Sequence, residues 1–204
     1  MDFSNNLAKV LFDFVKLHNE LLSRDEGHRV LRERSLSYVD YYPKKEKDVL
    51  RDFFLATRIK SGTPVELGMN SPGILLDRVT ILTVKLLHVV SPEESAEVRQ
   101  TISEVLSLST CFRPAKRSLL KKQSGLQVSL ESFEGALLHL AASNLRMWLS
   151  QDIFYSDNHW QDYDYNVADL VELWGYENKF RNACIIAIDD WYIASSDDYM
   201  SADC

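Results

Sequence analysis

Glycine and proline are scarce in this chain, at 7 and 5 of 204 residues. An all-β protein of this length reverses direction many times, and its turns draw on these two residues. Their shortage points to long helices joined by few connections. Cysteine is scarcer still. Cys111, Cys184 and Cys204 are odd in number and share no paired spacing, so they make neither a disulfide framework nor a zinc motif. Three free thiols in a reducing compartment are expected. Long apolar runs are missing too: the most apolar stretch, Ile74 to Val90, is broken by Asp77, Arg78 and Lys85, which is too short and too charged to span a bilayer. The opening Met1-Asp2-Phe3-Ser4-Asn5-Asn6 has no basic start and no apolar core of a signal peptide. A soluble, cytoplasmic protein without membrane insertion is the expectation. The net charge of −7 argues against a sequence-independent nucleic-acid binder, whose affinity comes from neutralising phosphates.

What is present is helical period. Leu7, Val10, Leu11, Phe14, Leu17 and Leu21 repeat at helical spacing behind Ser4, a plausible N-cap, and predict a first amphipathic helix over 5–23. A more charged helix is expected over 25–40, before Pro43, and a third over 44–59. Ser61-Gly62-Thr63-Pro64 and Asn70-Ser71-Pro72-Gly73 then break the chain. Ser71 as cap and Pro72 as first helical residue start a helix to about Val90. Ser91-Pro92-Glu93-Glu94 repeats that signal with capping-box spacing, for a helix to about Leu108. Residues 109–128 read as irregular and basic. Further helices are expected over 132–152 and 167–192, separated by an aromatic loop over 155–165 that carries Tyr155, Trp160, Tyr163 and Tyr165. The small, acidic residues 195–204 read as a frayed tail. The fold expected is all-α: one domain, 1–204, with N-terminal helices over 1–62 and a bundle of about four core helices over 70–192.

Three of these helices carry polar residues on otherwise apolar faces. Positions i, i+4 and i+7 share a face, which groups Asp77 with Lys85, Asn144 with Trp148 and Asp152, and Asn178 with Arg181, Asn182 and Asp189. A polar group on a buried face is costly unless a partner meets it. The three seams are therefore expected to converge between helices 70–90, 132–152 and 167–192, either as a paired network that fixes helix register or as a pocket for a small anionic or polar ligand. Ligand-binding candidates are Asp77, Lys85, Asn144, Trp148, Asp152, Asn178, Arg181 and Asn182.

The same residues carry a resemblance. Ser71-Pro72-Gly73-Ile74-Leu75-Leu76-Asp77-Arg78-Val79-Thr80-Ile81-Leu82-Thr83-Val84-Lys85 resembles the S-P-G-E-x-L-D-[KR]-x-T-I-L-E-[IL]-K opening of a group of uncharacterised bacterial all-helical domains. Asn144, Trp148 and Asp152 fall on that group's N-x-x-x-W-x-x-x-D helix, and Asn178 to Asp189 on its N-x-x-R-N-x-x-I-x-x-I-D ending. The resemblance covers about residues 70–192 and implies an association with surface-polysaccharide assembly, with no assigned activity. Ile74 and Thr83 stand where the motif has glutamates, and Gln151 where an acid is common.

Catalytic and cofactor motifs are wanting. The chain has no G-x-G-x-x-G, no phosphate loop and no G-x-S-x-G. Glu94–Glu97 and Glu131–Glu134 each supply one half of a magnesium site of nucleotide pyrophosphohydrolase type, but E-x-x-D occurs nowhere. His18, His28, His88, His139 and His159 are not at metal-ligand spacing. No metal and no cofactor are expected. The reading is a helical binding or interaction protein without intrinsic catalysis. One alternative is an enzyme on a phosphorylated or nucleotide-sugar substrate, with Arg181 and Lys85 on the anion and Asp77 or Asp152 as general acid or base. Another is a structural partner protein that uses the aromatic loop.

Overall fold

The computed structural model describes residues 3–22, 39, 42–58, 71–111, 130–155 and 166–200. Six α-helices follow in order: α1 (Phe3–Leu22), α2 (Lys44–Arg58), α3 (Pro72–His88), α4 (Pro92–Ser107), α5 (Phe133–Tyr155) and α6 (Val167–Met200), with a 3₁₀ turn over Leu108–Cys111 after α4. No strand occurs among the described residues, and the all-α expectation holds. Apart from Val39, which is in a turn, the helix expected over 25–40 lies outside them, as do the basic segment beyond 111 and the aromatic loop beyond Tyr155. Among the described residues no helix is long and apolar enough to cross a membrane.

Local chemistry sets the helix starts. Ser71 is in extended backbone, and its hydroxyl accepts from the Ile74 amide at 3.3 Å while Pro72 takes the first turn. Ser91 does the same for Glu94. The reciprocal half of that capping box does not form: the Glu94 carboxylate reaches Lys85 at 3.1 Å, and the Ser91 hydroxyl donates to Glu93. A full reciprocal cap appears at α6 instead. The Asp169 amide donates to Asn166 Oδ1 at 2.9 Å, and the Asn166 amide donates to Asp169 Oδ2 at 3.3 Å.

Helix α5 is the centre of the bundle. Ala136, Leu137, Leu138, Leu140, Ala141, Ala142 and Leu145 are all fully buried, so the helix is covered on nearly every side and shows little amphipathic contrast. Contacts run 139 to 180, 143 to 177, 150 to 174 and 154 to 174 between α5 and α6, which makes the two antiparallel. Helix α3 packs on both, and α1 lies across α3, α4 and α5. Helix α2 joins through an aromatic cluster: Phe54 stacks on Phe133 at 4.7 Å and meets Tyr192 edge-on at 5.0 Å. The Tyr192 and Thr57 hydroxyls share a 2.7 Å hydrogen bond. Helix α6 does not stop near Tyr192, as expected, but continues to Met200. No glycine or proline follows Gly175, so nothing in the sequence breaks the helix where its apolar period ends.

Gly73 sets the distance between α3 and α6. A Cβ at this position would lie 2.4 Å from the Ile185 carbonyl oxygen and 2.9 Å from Ile185 Cγ2. The clash is with backbone, which cannot swing aside. Gly73→Ala is therefore expected to destabilise the fold by about 1–3 kcal/mol, the range for inserting a methyl into a packed contact, even though alanine is the better helix former. Chemical denaturation checks this. An unchanged or increased stability would show that α3 does not lie this close to α6.

Candidate functional site

The three polar seams meet where α3, α5 and α6 face one another. Asp77 on α3 is 5% exposed. Arg181 on α6 grips its carboxylate with two parallel donors: Nε to Oδ1 at 2.7 Å and Nη2 to Oδ2. This fork is the strong form of an ion pair. Asn144 on α5 completes it from the third side, as its Nδ2 donates to Asp77 Oδ1 at 3.0 Å and to the Thr80 hydroxyl at 2.8 Å. That hydroxyl in turn donates to the Asp77 carbonyl at 2.8 Å. The Asp77 hydrogen bond holds the Arg181 guanidinium more firmly protonated than usual, against the cost of its partial burial.

The remaining candidates are spread along the same interfaces. Asn178 is exposed one turn before Arg181, with Oδ1 at 3.4 Å from Nη1. Asn182 is half-buried beside it. Lys85 does not join Asp77, although the two share a seam. Two turns along α3 from Asp77, it pairs with Glu94 on the surface. Asp152 is exposed and does not converge with the others. It lies two turns from Asn144, about 12 Å along the helix axis, beyond the reach of the Asp77–Arg181 pair. Trp148 stacks on His88 with ring centres 5.4 Å apart. Trp148 Nε1 and His88 Nε2 are both buried without a hydrogen-bond partner among the described residues. Asp189 turns to the start of α3, where its Oδ1 accepts from the Gly73 amide at 2.8 Å, a favourable place for a carboxylate at a helix N-terminus. Burial nevertheless raises its pKa, with the Gly73 amide and the Ser71 hydroxyl pulling the other way.

A second polar network, absent from the sequence-based candidates, is more deeply buried than the first. Arg146 on α5 and Glu177 on α6 have side chains 3% and 0% exposed. Arg146 Nε donates to Glu177 Oε1 at 2.7 Å, and Nη2 donates to Oε2 at 3.0 Å. The Ser143 hydroxyl lies 2.7 Å from Glu177 Oε2 and 3.1 Å from the Glu177 carbonyl. One turn away the Trp174 indole donates to the Ser150 hydroxyl at 2.7 Å. A signal does exist in the sequence: Leu170, Leu173, Glu177, Phe180, Cys184 and Ile188 form one buried stripe, and Glu177 is its only acid. Cys184 in this stripe is a free thiol, pushed by burial up to about 12, which makes it a packing group rather than a nucleophile. The other two cysteines, Cys111 and Cys204, fall on positions whose side chains are not described.

The arrangement can hold helices in register, and it leaves one guanidinium edge at the surface. Asp77 is held by three donors from two helices. Among the described residues no three His, Cys, Asp or Glu side chains stand close enough to share a metal ion. Comparison with protein-family models, with curated proteins and with solved structures finds no match to this chain.

Proposed function

We propose that this is a helical binding protein without intrinsic catalysis, which locks α3, α5 and α6 together through Asp77 and presents Arg181 with Asn178 and Asn182 to a small polar or anionic ligand. The observation that carries this reading is the two-sided use of Arg181. Its Nε and Nη2 are committed to a buried carboxylate, while Nη1 lies at the surface beside an exposed amide. A guanidinium held rigidly from behind loses little conformational freedom on binding, which is how a preorganised site gains affinity. Its charge is already balanced by Asp77, so it favours oxygens that accept hydrogen bonds over a purely electrostatic partner. A cytoplasmic placement and a role beside surface-polysaccharide assembly belong to the same proposal, through the motif resemblance.

A hexose phosphate and a nucleoside diphosphate sugar are suitable probes. Each is incubated with wild type and with Arg181→Ala, followed by thermal melting and by recovery of the compound. The expected result is an upward shift of the melting midpoint in wild type, none in the mutant, and the compound recovered intact. Hydrolysed or transferred product would establish the enzyme alternative. No shift with either probe, together with a large loss of stability in Arg181→Ala, would leave the seam as a packing device and overturn the proposal.

A further inference from the structure

A different part of the molecule has the chemistry of a ligand site. Between α1, α3 and α4 lies a cleft of about 200 Å³. Its floor is apolar: Leu86 is 8% exposed and Ile102 is 4% exposed, and Phe12 forms one half-buried wall. Two exposed cations, Lys9 and Arg99, line the same cleft. Arg99 sits over the Phe12 ring with Cζ 6.0 Å from its centre, a cation–π contact that fixes the guanidinium beside the cleft. Among the described residues neither cation has a carboxylate within ion-pair distance, although the chain as a whole carries a charge of −7. Ser103 follows Arg99 by one helical turn and lines the cleft with an exposed hydroxyl, on the same face of α4. The one other hydroxyl in the lining, Thr83, already donates to the Val79 carbonyl at 2.8 Å.

We infer that this cleft binds a small organic carboxylate with an apolar body. The carboxylate would meet Arg99, Lys9 and the Ser103 hydroxyl, and the body would lie against Phe12, Leu86 and Ile102. Pockets for drug-sized ligands run to about 300–1,000 Å³, so the occupant is smaller than these. An acid of a few carbons or a single ring fits; a folded peptide segment does not. The cleft shares no residue with the Arg181 site, and its failure and that of the earlier proposal are separately visible.

The test is a titration of the full chain with hexanoate and, in parallel, with hexanamide, read by amide proton–nitrogen correlation spectra. Hexanoate is expected to give saturable shifts centred on residues 8–12, 83–86 and 99–103. Hexanamide keeps the chain but loses the charge, and it is expected to bind about tenfold more weakly, the scale of one lost charge-assisted hydrogen bond. Arg99→Gln is expected to weaken hexanoate by a similar factor and to leave hexanamide unchanged. Both cations are exposed, so the fold should tolerate the replacement. Equal binding of acid and amide to wild type would overturn the proposal without reference to any variant. So would an absence of saturation with hexanoate, or shifts centred elsewhere.

Discussion

Arg146→Ala is expected to cost about 3–5 kcal/mol of unfolding free energy, the loss that follows when one partner of a buried ion pair is removed. The reason is what remains behind. Glu177 is fully buried on the apolar stripe of α6, and its two carboxylate oxygens accept from Arg146 Nε and Nη2. Without the guanidinium, only the Ser143 hydroxyl among the described residues stays within hydrogen-bond reach of the carboxylate. The charge then keeps one neutral hydrogen bond but loses its counter-ion, and the truncated side chain leaves a void. Arg146→Met with Glu177→Leu should recover most of the loss, because replacing both partners by apolar groups of similar size removes the stranded charge as well as the pair. Urea denaturation of the two single variants and the double variant gives the coupling directly. High salt should change it little, since a pair this deep is weakly screened. A cost under about 1 kcal/mol for Arg146→Ala, the value of a solvated surface pair, would mean that water reaches Glu177.

The contrast between the two networks shows how far the sequence can be read. Helix starts are legible because capping is local: Ser71-Pro72 and Ser91-Pro92 announce α3 and α4 within four residues, and both caps form. The meeting of Asp77, Asn144 and Arg181 is legible because each stands out as polar on an apolar face. Partner choice within a seam is not. Lys85 shares an arc of α3 with Asp77, yet it sits next to the α3–α4 turn, where Glu94 lies closer to hand. Asp152 shares a face with Asn144, but a shared face says nothing about how far along the helix the neighbour extends, and the residue ends up exposed. Glu177 and Arg146 escape a sequence reading for the opposite reason. Long charged side chains are usually solvated, so a single acid on the apolar stripe of α6 does not by itself announce a buried pair or name its partner. Only the packing of α5 against α6 shows that the two face each other. Gly73 belongs with these. Its position after Ser71-Pro72 reads as part of a helix start, while the close approach that requires it comes from Ile185, far away in sequence.

Acid should destabilise this protein through His18 before most carboxylates titrate. His18 is fully buried on α1, stacked on Phe14 one turn earlier with ring centres 5.8 Å apart. Burial, then the positive charge of Arg146, then His139, lower its pKa from 6.5 to about 3. The sign follows from proton counting. Well above the unfolded value of 6.5 the ring is neutral in both states, and its contribution does not depend on pH. Below that value the unfolded chain takes up a proton that the folded chain refuses, so stability falls as pH falls. The slope approaches about 1.4 kcal/mol for each tenfold rise in proton activity, the value for uptake of a single proton. It flattens only once pH drops below the folded value of about 3. Asp189 works in the other direction. Its folded pKa is raised, so protonation favours the folded state as pH falls through that value. This offsets part of the loss in the carboxylate range. The window from pH 6.5 to about pH 5 is cleanest for His18, because ordinary carboxylates stay ionised there. The His18 contribution across it is a loss of about 1.6 kcal/mol. His18→Phe keeps a stacked ring and has nothing to protonate at that position, so the part of the loss that comes from His18 should vanish over the same interval. Urea midpoints measured at the two ends for both proteins decide the matter. An acid slope that persists undiminished in His18→Phe would place the responsible proton on another group.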